Sequence, residues 1–232
     1  MIPTSEFTYD GDNHTLTIQA DMPNSAHQTT QYVFGVTVTG GSNVYSNDML
    51  SAVQYPDPTT GNPSSSQQVS YTVNALGQNL TMSDRDANVH SYSYDVLGRF
   101  TADAVTTLGT GVDGTIRRIE TAYDTGDRPY LFTSYNAASG GSIVNQVQDA
   151  FNGMGQLTEE WQAHSGAVNT SSSPNVQYSY TLMSGGNNSR LTSMTYPSGR
   201  VITYNYATGV DTTISRLTSI SDGATTLESS VI

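Results

Sequence analysis

The chain of 232 residues has no cysteine. Disulfide staples and thiolate chemistry are therefore excluded, and the redox compartment is left open. Lysine is also absent. All 8 basic residues are arginines (Arg85, Arg99, Arg117, Arg118, Arg128, Arg190, Arg200 and Arg216), set against 20 acidic residues for a formal net charge of -12. Phosphate binding needs clustered cations, and these are scattered apart from one adjacent pair, so nucleic acid is excluded as a partner. The arginines read instead as turn and strand-edge groups stacking on tyrosines. No apolar run approaches the about 18 residues of a membrane span. The opening Met1-Ile2-Pro3-Thr4-Ser5-Glu6 has neither the basic nor the apolar segment of an export signal.

Apolar residues make up only 35%, while tyrosine (15) and glycine (21) are frequent. That balance suits many short strands joined by tight turns, not a thick aliphatic core. Tyrosine suits such a thin sheet because its ring buries area while its hydroxyl stays wet or finds a partner.

Internal repeats organise the chain. An aromatic residue precedes a turn cluster at Tyr71 (Asn74-Ala75-Leu76-Gly77), Tyr94 (Asp95-Val96-Leu97-Gly98), Tyr123 (Asp124-Thr125-Gly126) and Phe151 (Asn152-Gly153-Met154-Gly155), with later aromatics at Tyr180 and Tyr206. The spacing of about 23 to 29 residues is that of stacked supersecondary units. After each turn comes an alternating segment, as in Arg190-Leu191-Thr192-Ser193-Met194 and Arg216-Leu217-Thr218-Ser219-Ile220, with weaker copies at Arg99-Phe100-Thr101, Gln156-Leu157-Thr158 and Asn79-Leu80-Thr81-Met82. Alternation marks a half-buried strand, so each unit reads as a β-hairpin. Gly77, Gly98, Gly126 and Gly155 are expected to supply the positive φ of the turns, and the Asp or Asn before them to accept hydrogen bonds from turn N–H groups. A lone hairpin is marginal in water, so the hairpins must pair laterally.

Residues 1–67 form a less regular N-terminal part, with a hairpin-like Phe7-Thr8-Tyr9-Asp10-Gly11-Asp12-Asn13 and a strand at Tyr32-Val33-Phe34-Gly35-Val36-Thr37-Val38. A polar stretch over 56–66 reads as a loop between units. Residues 68–232 carry the better repeats, continuous with the first part.

Ser91-Tyr92-Ser93-Tyr94-Asp95-Val96-Leu97-Gly98-Arg99 resembles the signature of the RHS or YD-repeat proteins. The pattern recurs from Arg190-Leu191 through Gly199-Arg200 to Tyr204 and Tyr206, covering 69–221 well and 7–55 loosely. The resemblance implies an all-β fold of antiparallel β-hairpin repeats forming a curved or spiralling sheet, part of a shell that sequesters a C-terminal effector. It further implies a structural role for Tyr71, Gly77, Tyr92, Tyr94, Asp95, Gly98, Arg99, Tyr123, Asp124, Gly126, Phe151, Gly155, Arg190, Leu191, Gly199, Arg200, Tyr204, Tyr206, Arg216 and Leu217. The family's autoproteolytic core motif and variable toxin domain are not recognisable, so the chain is expected to be a fragment of a secreted or cell-surface parent.

Competing chemistry is weak. Asp84-Arg85-Asp86-Ala87-Asn88 has calcium-loop spacing, but Val89 stands where the loop needs glycine and Asp95 where it needs glutamate, so a capped turn is the better reading. His14, His27, His90 and His164 lack zinc spacing. Glu159 and Glu160 are adjacent and fall on opposite strand faces, which disfavours a glycosidase pair, and Trp161 reads as core before sugar platform. Asp57-Pro58 reads as turn chemistry, not as an autoproteolysis site. The expectation is a structural segment with no cofactor, no metal and no catalytic residues, partnered by further repeats, by its own edges or by an enclosed effector. The alternative is a glycan- or protein-binding β module. Without lysine to guard its open edges, the isolated chain is expected to self-associate.

Overall fold

The computed structural model describes residues 4–22, 26–182, 189–206, 212 and 214–229. Every element among them is a strand, and all the pairings are antiparallel. The all-β hairpin fold expected from the repeats is thus the observed one.

The chain divides into two compact units, one of 1–119 with 136–141 and one of 120–135 with 142–232. In the first, β1 (Ser5–Tyr9), β2 (Thr15–Asp21), β3 (His27–Val36), β4 (Ser46–Pro56), β5 (Pro63–Val73), β6 (Asn79–Ser83), β7 (Val89–Tyr94) and β8 (Phe100–Thr107) pair in chain order. β9 (Arg118–Tyr123) pairs with β10 (Pro129–Tyr135). The second unit continues through β11 (Ile143–Phe151), β12 (Leu157–Ala163), β13 (Asn175–Leu182), β14 (Ser189–Thr195), β15 (Val201–Asn205), β16 (Ser219–Asp222) and β17 (Thr225–Ser229), again in order. A meander of this kind needs only short links, which is why the turn residues dominate the sequence pattern.

Alternation sorts the side chains by face. In the first unit Tyr71, Met82, His90 and Val105 lie opposite one another in sequence across four strands, and the next row is Thr72, Thr81, Ser91 and Ala104. The second unit repeats the device with Tyr178, Met194 and Ile202 in one row and Ser179, Ser193, Thr203 and Ser221 in the next. Each unit therefore has a tyrosine and thioether face and a hydroxyl face. The core is thin. Among the described residues no side chain is sealed off completely, and the buried apolar set is Val36, Ala52, Val53, Val73, Ala102, Ala104, Trp161, Ala163 and Ile202.

Two expectations are corrected. Strand β5 already begins at Pro63, so the linking loop is shorter than 56–66, and Pro63 pairs with Pro56 where a ladder N–H is not required. In the turn after β9 the left-handed residue is Asp127 (φ 63), not Gly126. Two further glycines are fixed by close backbone approach. A Cβ on Gly61 would sit 1.9 Å from the His27 carbonyl oxygen, and one on Gly109 would sit 2.0 Å from that of Asp86.

Candidate functional site

The repeat-signature residues converge on a five-residue turn that recurs along the chain. Its first residue donates its N–H to the carbonyl of the fifth and accepts from the N–H of the fourth, as in Asn74–Gln78, Asp84–Asn88, Asp95–Arg99, Asp124–Arg128, Asn152–Gln156 and Tyr196–Arg200. The fourth residue takes the left-handed conformation: Gly77, Ala87, Gly98, Asp127, Gly155 and Gly199, with Asn13 in the corresponding place after Asp10. Where the first residue is Asp or Asn, its side chain caps the turn. Oδ1 of Asp95 accepts from the N–H groups of Leu97 and Arg99, at 2.9 and 3.0 Å. Asn74, Asp84, Asp124 and Asn152 do the same.

The fifth side chain matches the first. Where the first is Asp, its second oxygen accepts from Arg99 Nε (2.7 Å), Arg128 Nε (2.8 Å), Asn88 Nδ2 (2.8 Å) or the ring of His14 (2.8 Å). Where it is Asn, its Nδ2 donates to the Oε1 of Gln78 or Gln156, both at 2.9 Å. Donor and acceptor are thus complementary in each turn that begins with Asp or Asn. The hydrogen bond from Arg128 is the main reason that the Asp124 carboxyl lies below its ordinary 3.8. The Asp84 carboxylate is committed in the same way as a cap, in agreement with the turn reading.

A second set of contacts links each hairpin to the one before. The hydroxyls of Tyr94, Tyr180 and Tyr206 donate to the carbonyls of Asn79 (2.9 Å), Leu157 (2.8 Å) and Leu191 (3.1 Å), each on the preceding strand. The Arg128 guanidinium lies 4.6 Å from the Phe151 ring centre, and Arg190 lies 5.0 Å from that of Tyr206. Arg85 on Tyr55 and Arg200 on Tyr196 complete the stacking expected of the arginines. Gln78 donates to the Gly98 carbonyl at 2.7 Å, so one turn also leans on the next.

The remaining signature residues fall into place around this frame. Tyr71 and Tyr92 occupy the tyrosine face, Tyr92 donating to Met82 Sδ at 3.7 Å, and Tyr204 lies opposite Ile220. Tyr123 closes β9 before Asp124, while Arg216 and Leu217 lead into β16, Leu217 half-buried. Arg200 reaches across to Asp222 at 2.9 Å. Trp161 is buried, as a core residue should be.

One cluster stands outside the repeat frame. Asp149 on β11 pairs in register with Glu160 on β12, and Glu160 with Val176 on β13. Glu160, Gln162, His164, Pro174, Asn175, Val176 and Pro197 line an open groove of about 160 Å³. Glu159 and Glu160 are disfavoured as a catalytic pair because they fall on opposite strand faces; the register brings Asp149, not Glu159, opposite Glu160. Among the described residues no helix is long and apolar enough to cross a membrane.

No protein-family model and no curated protein matches the chain. Solved structures do. The TcdB2-TccC3 complex without its hypervariable C-terminal region matches over 95% of this chain and 14% of its own, at 13% identity and a TM-score of 0.34. A Tc holotoxin pore from Photorhabdus luminescens matches over 97% of this chain and 14% of its own, at 12% identity and a TM-score of 0.33. The chain thus spans a small fraction of the structures it is similar to.

Proposed function

We propose that this chain is a non-catalytic repeat segment of an RHS/YD-type protein, supplying wall to a β shell or surface fibre that encloses or presents a C-terminal effector. The supporting observation is where the signature side chains spend their polar atoms. Asp95, Asp124 and Arg128 are engaged in their own turns, and the tyrosine hydroxyls of Tyr94, Tyr180 and Tyr206 bond the backbone of the hairpin before. Groups used in this way hold strands together and have little left with which to bind a ligand.

The partners of such a segment are further repeats of a secreted or cell-surface parent and the effector it surrounds. β1 and β17 are exposed at every residue, and sheet edges of that kind recruit further strands. One observation favours a second reading, a glycan- or protein-binding module: the hydroxyl rows and the groove beside Glu160 present polar groups at regular spacing. Sedimentation velocity combined with titration against a glycan panel separates the two. A wall segment self-associates with concentration and shows no saturable binding; a monomer that saturates with a glycan overturns the wall.

A further inference from the structure

The turn carboxylates are surrounded by donors, whereas one oxygen of Asp149 has none. It faces Glu160 directly across the β11–β12 pair. Directly opposed residues bring their Cβ atoms to about 4.5–5.5 Å, where like charges work against pairing. Asp149 Oδ1 is buried without a hydrogen-bond partner. An ionised carboxylate that has lost water without gaining a donor is strongly disfavoured, whereas the neutral acid is tolerated.

We propose that Asp149 holds a proton opposite Glu160 and that this protonation makes the β11–β12 hairpin an acid-tightened latch. The proton comes from solvent and forms one O–H bond on Asp149; no other bond changes. Burial is the main reason that the Asp149 carboxyl lies above its ordinary 3.8, and the charge of Glu160 adds to it. Glu160 lines the open groove, whereas Asp149 Oδ1 is buried, which places the proton on Asp149. The other titratable groups around the pair reinforce this arrangement. The Tyr178 phenol on β13 is pushed up first by burial and then by Glu160, and so stays neutral. His164 shares the groove with Glu160. From β10 the nearest in register is Tyr130, beside Leu131, which pairs with Gln148.

The sign follows from linkage. A carboxyl raised in the folded state binds a proton that the unfolded chain releases, so its cost is present at neutral pH. That cost is relieved as pH falls through the raised value and is gone near 3.8. The inference rests on the fold alone and stands or falls apart from the wall reading.

The test compares the urea midpoints of the full chain and of Asp149→Asn from about pH 7.5 to about pH 4.5. The substitution should raise the midpoint at the upper end, and the advantage should shrink as pH falls. Parallel profiles overturn the latch. If the Asn variant does not fold, ¹³C carboxyl NMR of the unmodified chain decides: titration of Asp149 above 3.8 sustains the proposal, and titration at or below it refutes it. Glu160→Gln should move that titration down.

Discussion

The left-handed corner of each turn is where a single residue matters most. Ala87 holds φ 63 in a place that Gly77, Gly98, Gly155 and Gly199 fill elsewhere. An L side chain there costs about 1–2 kcal/mol, of which glycine's extra chain entropy returns about 0.5–1. Ala87→Gly should therefore raise the urea midpoint, and Gly98→Ala should lower it. Protonation acts at the same scale with two signs. The Asp124 carboxyl is held down chiefly by the hydrogen bond from Arg128, so its contribution is full above 3.8 and is lost as pH falls through the lower folded value. Asp124→Asn should accordingly flatten acid unfolding below 3.8. His14 is raised above 6.5, first by its hydrogen bond to Asp10, so its contribution is full below 6.5 and disappears as pH rises through the folded value. The destabilisation by His14→Ala should thus fade in alkaline urea titrations. Capping by Asp and Asn was legible in the sequence because these residues bond their own turn N–H groups. The corner at Asp127 was not: Thr125-Gly126-Asp127 offers two residues able to adopt a positive φ, and the hydrogen-bonded frame beginning at Asp124 decides between them.

Between elements, the tyrosine hydroxyl is the recurring tie. Tyr94→Phe and Tyr180→Phe each remove a bond to the carbonyl of the preceding strand while leaving the ring in place. Each should cost about 0.5–1.5 kcal/mol in equilibrium unfolding. Trp161→Ala removes a buried ring and should cost about 3–5 kcal/mol. Strand alternation made the hairpins and the opposed faces of Glu159 and Glu160 readable in advance. Pairing across strands was hidden, because register depends on bulges such as those at Ser179/Tyr180 and Ala150/Phe151. For that reason the pairing of Asp149 with Glu160 had no signal in the sequence, nor had the tight approaches at Gly61 and Gly109.

At the scale of the whole chain, composition and period sufficed for an all-β array of hairpins, since a low apolar fraction, abundant tyrosine and regular turns leave few other folds. How such an array is used depends on what surrounds it. Exposed strands at β1 and β17 and side chains turned inward on their own backbone suit continuation by further hairpins. The most direct measurement is the intact mass, with flanking peptide sequence, of the native polypeptide that carries this chain. A repeat segment of a shell or fibre predicts a longer protein with Tyr-x-Tyr-Asp hairpins on either side. A native polypeptide with the mass of this chain alone, 24.8 kDa, would contradict it.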